Sequence, residues 1–152
     1  MTSISRRALI GAAPATGLAG AALALHPSAA LAATTSGALE LITPVRIQDS
    51  RVDEPDKYDT SAADTLLVPG LEGKHGVILN VTVTETEGAG FFRVADDIEP
   101  VPTTSNINWY ADGQTVANLA IVKITPPNSG IAVQGGGDGR AHLIVDVLGF
   151  IT

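Results

Sequence analysis

The sequence predicts an antiparallel all-β domain, a jelly-roll-like sandwich or a barrel of about eight or nine strands. Three observations carry that expectation. Val77-Ile78-Leu79-Asn80-Val81-Thr82-Val83-Thr84 is a run of β-branched and aliphatic residues with Val77, Leu79, Val81 and Val83 in one phase and Asn80, Thr82 and Thr84 in the other, which is the period-2 signature of a strand. Further short apolar runs are punctuated by Gly, Pro and Asp turns. Beyond the N-terminal region, apolar residues nowhere recur at helical spacing over a usable length.

The first 32 residues read as an export signal. Arg6 and Arg7 precede an uncharged Ala/Gly/Leu stretch, Ala8–Leu25, and Ala30-Leu31-Ala32 supplies the small-residue cleavage pattern, with the cut after Ala32. The paired arginines in Ser5-Arg6-Arg7-Ala8-Leu9-Ile10 favour the twin-arginine route, and localisation outside the cell, secreted or wall-associated, follows. Gly11, Pro14, Gly17 and Gly20 interrupt the stretch, which falls short of the roughly 20 apolar residues of a membrane span. No span is expected in the remaining chain.

Removal of the signal takes two cations and no acid, leaving 120 residues with seven cations, sixteen acids and a net charge of −9. That length suits one domain, residues 39–152, after a flexible leader at 33–38. The seven cations are scattered singly, so nucleic acid is an unsuitable partner. There is no cysteine, and the domain relies on packing and backbone pairing without disulfides.

Taken in order, the strands begin at Ala38–Ile42, break at Pro44 and resume over Val45–Gln48. Residues 49–64 form a long acidic loop. Thr65–Val68 is a short strand that stops at Pro69-Gly70. The central strand, 77–84, ends at Glu85–Gly90, and Phe91–Ala95 is expected to return as its antiparallel partner across those glycines. Pro100 and Pro102 make 96–104 irregular. Ser105–Tyr110 is extended, with Ile107 and Trp109 on one face and Asn106, Asn108 and Tyr110 on the other. Thr115–Thr125 is a long strand broken by Pro126-Pro127. Ile131–Gln134 and Ala141–Val147 flank Gly135–Gly139, read as a hairpin loop.

Five ordered segments, Arg46-Ile47-Gln48-Asp49-Ser50-Arg51, Leu79–Thr84, Ser105-Asn106-Ile107-Asn108, Gly113–Leu119 and His142–Phe150, resemble a secreted actinobacterial domain family with the signature R-x-x-D-T-R, L-N-V-T-V-T, S-N-L-N, G-Q-T-V-A-N-L and H-V-I-V-D-V-x-G-Y-F. The resemblance covers nearly all of the chain after the signal. It departs at Ser50, in the acidic segment after Arg51, and at Phe150 in place of tyrosine. It implies an exported β domain and no catalytic residue or cofactor.

The residues that could carry chemistry are few. Asn80, Asn118 and Asp146 interrupt aliphatic runs, and buried polar groups need partners. They are expected to form a register-setting network with Arg51, in which Arg51, or else Arg46, pairs with Asp146; a polar pocket or calcium site is the alternative. Asp53, Glu54, Asp56 and Asp59 are the remaining metal candidates, although they lack the spacing of a calcium loop. A serine–histidine–acid set could be assembled from His75 or His142, but no nucleophile elbow, zinc motif or phosphate loop is present. Phe92, Trp109, Tyr110 and Asn108 are the candidate ligand- or partner-facing residues, since aromatics on a β surface stack on sugars or anchor proteins; burial of both aromatic faces is the alternative. The sequence therefore leads to a non-enzymatic extracellular interaction module. Glycan binding or weak hydrolysis of cell-wall glycan is a second reading, and a structural subunit of a secreted assembly is a third. The partner is a protein or a cell-wall glycan.

Overall fold

The structure is a computed structural model that describes residues 37–53, 56–59, 61–97 and 103–152. The expected signal and most of the expected leader, with Arg6, Arg7 and the expected cut after Ala32, lie outside the described residues, as does Glu54. Nine strands run through the described residues: β1 Leu39–Asp49, β2 Tyr58–Asp59, β3 Ala63–Leu67, β4 Gly76–Glu87, β5 Gly90–Ala95, β6 Ile107–Trp109, β7 Val116–Lys123, β8 Gly130–Gly137 and β9 Arg140–Ile151. No described helix is long and apolar enough to cross a membrane.

The strands form two antiparallel sheets. One has the order β1-β9-β4-β7 with β2 added on β9, the other the order β3-β8-β5-β6. The fold is a β-sandwich, not a closed barrel. Alternation explains the packing. Val77, Leu79, Val81 and Val83 of β4 are buried with Leu143, Val145 and Val147 of β9, against Phe92 and Val94 of β5, Ile107 and Trp109 of β6, and Ile131 and Val133 of β8. Phe92 and Trp109 meet with ring centroids 5.2 Å apart, a tilted contact that adds about 0.5–1.5 kcal/mol to the burial of the rings.

Two expected hairpins do not form. β5 pairs with β6 and β8, not with β4, because the chain changes sheets between them. The register of β4 against β9 slips between Thr84 and Glu87, Glu85 takes a left-handed φ of 51° and Gly88 one of 63°. The glycine-rich stretch likewise joins β8 to β9 in the other sheet, with β8 continuing to Gly137. Those glycines are there for close approach. A Cβ on Gly136 would run into the Phe91 ring, and Gly90 lies against the Trp109 indole. β1 also runs without interruption past Pro44, its register slipping between Leu41 and Val45, as a bulge on an edge strand permits.

Candidate binding surfaces

The outer face of the five-stranded sheet is organised in rows. Arg46, Asp146, Asn80 and Leu119 form one row across β1, β9, β4 and β7, and Leu41, Gly149, Ile78 and Ile121 form the next. The expected pairing of Arg51 with Asp146 is not made. Arg46 Nε donates to Asp146 Oδ1 at 2.8 Å and its Nη1 to Asp49 Oδ2 at 2.9 Å. Arg51, two residues past the end of β1 and within the turn that follows it, folds back on Asp49 through Nε–Oδ1 at 2.8 Å and Nη2–Oδ2 at 2.7 Å. Cross-strand register decides this: Arg46 stands directly opposite Asp146, whereas Arg51 has left the ladder. The Arg51 guanidinium first, with Arg46 assisting, holds the Asp49 carboxyl well below the usual carboxylate range.

The other members of the expected network are dispersed. Asn80 is half-buried on the outer face and donates from Nδ2 to Thr82 Oγ1 at 3.3 Å. Asn118 is exposed and donates from Nδ2 to the Asn106 carbonyl at 2.6 Å. The network that does form, Asp146–Arg46–Asp49–Arg51, is built by the R-I-Q-D-S-R segment and contains Asp49, whose role the sequence reading missed. Its signal was the i, i+3 and i, i+2 spacing of one acid between two arginines.

At the β7 end of this row and beside it the same face carries exposed aliphatic side chains. Leu39 is 61% exposed, Leu41 70%, Leu119 56% and Ile121 62%. Gly149 sits between Leu41 and Ile78, where a Cβ would collide with the Glu40 carbonyl of β1, so the glycine sets how closely β1 and β9 approach. Lys123 ends the face on β7 and has no carboxylate partner among the described residues.

A serine, a histidine and an acid do converge here. Ser50 Oγ and His142 Nδ1 are 3.0 Å apart, and His142 Nε2 is 3.9 Å from Glu85 Oε2. Ser50 is fully buried, and the Leu143 N–H donates to its Oγ at 2.9 Å. This hydroxyl has no path to a substrate carbonyl and works as an internal tie between the end of β1 and β9. The acidic-loop candidates also serve local structure. Asp53 Oδ2 accepts the Asp49 N–H at 2.9 Å, and Asp59 Oδ1 accepts the N–H and hydroxyl of Ser61, which lowers its pKa. They do not converge with Asp56, and no group of three or more metal-binding side chains gathers among the described residues.

The second surface lies where the edges of the two sheets meet. A groove of about 310 Å³ between β6 and β7 is lined by Asn106, Ile107, Asn108, Tyr110, Val116, Ala117 and Asn118. Tyr110 is 79% exposed there and Asn108 half-buried. Phe92 and Trp109 are not on this surface: both are core residues. Phe91 takes the outward position, packed over Gly136 with the Arg93 guanidinium 4.6 Å above its ring. The reason is phase. Phe92 shares a phase with Val94, and Trp109 with Ile107, whereas Phe91 shares one with Arg93. The loop that presents Tyr110 is stitched by Gln114, whose Oε1 accepts the N–H of Tyr110 at 2.7 Å and of Ala111 at 3.0 Å. Gly113, at a φ of 70°, permits the turn. No protein-family model and no curated protein matches the chain.

Proposed function

We propose that the chain is a secreted, non-catalytic interaction module that docks a protein partner on the outer face of its five-stranded sheet. The observation that carries this reading is the set Leu39, Leu41, Leu119 and Ile121, all more than half exposed on one face. Isolated exposed aliphatics need no explanation, but several on one sheet face are the mark of an interaction surface. The carboxylates beside them, Asp49 and Asp146, are already neutralised by arginine, so this face opposes a partner less than the acidic remainder of the chain does. Aliphatic side chains without aromatics suit a protein surface better than a sugar. Burial of Ser50 supports the non-catalytic reading, and the arginine pair with its Ala-x-Ala site supports export.

The test compares the wild-type chain with Leu41→Asp/Ile121→Asp, recovered from culture medium after cross-linking. A stoichiometric protein partner cross-linked to β1 and β7 is expected, and the double variant should lose it by at least about 100-fold, since burying each of the two aliphatic side chains contributes about 1.5–3 kcal/mol. Cross-links that map elsewhere with no loss in the variant would overturn the docking face. So would a chain that is recovered alone and sediments only with isolated cell wall. Release of soluble sugar or peptide from that wall would overturn the non-catalytic reading.

A further inference from the structure

The groove between β6 and β7 differs chemically from everything around it. The chain contains 16 acidic and 9 basic residues, yet none of the seven residues that line this groove carries a charge. Its polar groups are three carboxamides and one phenol. Each carboxamide has one end fixed by the protein and the other end free among the described residues. Asn106 Oδ1 accepts the Val94 N–H at 2.7 Å, which leaves its Nδ2. Asn108 Oδ1 accepts the Ser105 hydroxyl at 3.0 Å, which leaves its Nδ2. Asn118 is held the other way, by Nδ2 on the Asn106 carbonyl, which leaves its Oδ1.

We infer that this groove binds a neutral glycan, with Tyr110 stacking on a sugar ring and Asn106, Asn108 and Asn118 bonding its hydroxyls. Two amino donors and one carbonyl acceptor match a set of hydroxyls, each of which both donates and accepts. Because the amides are already oriented, little rotamer freedom is lost on binding. The exposed phenol ring supplies an amphipathic platform of the kind such ligands need. A charged ligand would find no counter-ion in the lining. Beyond Asn108 the surface continues past Phe91 and Tyr110 to Asp138, an acid that disfavours an anionic ligand, and it provides room for more than one sugar ring. This inference is independent of the apolar docking face.

The experiment is a titration of the ¹⁵N-labelled chain with a β-1,4-linked N-acetylglucosamine hexamer, with cellohexaose and with a neutral Ser/Val hexapeptide. At least one sugar should shift the amide signals of Asn106, Asn108, Tyr110, Ala117 and Asn118. Shifts with both sugars assign recognition to hydroxyls; shifts with the N-acetylated sugar alone assign it to hydroxyls plus the acetamido group. Tyr110→Ala should weaken binding about tenfold, equivalent to about 1.4 kcal/mol, and Tyr110→Phe should retain affinity to within about twofold. The exposure of Tyr110 means that both variants should keep the wild-type spectrum elsewhere. No shift with either sugar at millimolar concentration, shifts confined to other surfaces, binding of the peptide alone, or undiminished binding by Tyr110→Ala would each overturn the assignment.

Discussion

Trp109 is the chain's single tryptophan, which makes its placement in the core directly measurable. The side chain is 1% exposed, stands against Phe92 and lies over Gly90. Trp109→Ala removes the largest buried side chain, and the neighbouring strands are too constrained by their ladders to close the space. The expected loss is about 3–5 kcal/mol, equivalent to a fall in Tm of roughly 12–20 °C at about 4 °C per kcal/mol for a domain of this size. Trp109→Phe should behave differently. Trimming roughly 40 Å³ at about 24 cal/mol per Å³ costs about 1 kcal/mol. Against this, the indole Nε1 is buried with no acceptor, and removing an unpaired donor returns about 1–3 kcal/mol. The phenylalanine variant is therefore expected to match the wild type or exceed it by up to about 2 kcal/mol. Urea denaturation monitored by circular dichroism measures both variants, and acrylamide quenching of the wild-type emission reports access to the ring. A Trp109→Ala variant that melts within about 2 °C of the wild type would refute the assignment, and so would native emission quenched as freely as in urea.

Two further outcomes follow from the polar residues. Asp49 has its pKa lowered from the ordinary 3.8 by Arg51 and Arg46, so its contribution to stability is fully present above the unfolded value and is lost as pH falls toward the folded one. The stability gap between wild type and Asp49→Asn, read from urea midpoints, should accordingly narrow as pH is lowered from 5 to 2; a gap that is constant or widens contradicts the pairing. Ser50→Ala strands the Leu143 N–H and the His142 Nδ1 that its hydroxyl serves, and thermal unfolding should show a loss of about 1–3 kcal/mol. A Ser50→Ala variant of undiminished stability would remove the structural role assigned to that hydroxyl.

Much of the framework is legible in the residues. The period-2 run at 77–84 predicts both the strand and its dry face, and Val77, Leu79, Val81 and Val83 are indeed fully buried. The connections are harder, because a glycine-rich link between two apolar runs has the same composition whether the runs pair or pass to opposite sheets. Only the left-handed Glu85 and the slipped register beside it separate the two cases, and neither is written in local propensity. The aromatic assignment was recoverable. Ile107 and Trp109 share a phase, and the burial of one assigns the other to the core; Val94 does the same for Phe92. Which acid Arg51 would take was not recoverable, since it depends on where β1 leaves the ladder.

The outer sheet face gains meaning from the same alternation. In β4, Ile78 shares the phase of Asn80 and Thr82; in β9, Ile144 shares that of Asp146; in β7, Leu119 and Ile121 stand opposite Asn80 and Ile78. These strands are therefore apolar on both faces over part of their length, a pattern that belongs to sheets covered on both sides. The four-stranded sheet covers one side only. The proposed partner supplies the missing layer, and β7 shows how both proposed sites coexist. Its Leu119 and Ile121 belong to the apolar face, while Asn118, one residue away, turns toward Asn106 and the groove. Alternation along a single edge strand thus divides the two surfaces, so that a protein on the sheet and a sugar chain in the groove need not compete for the same side chains.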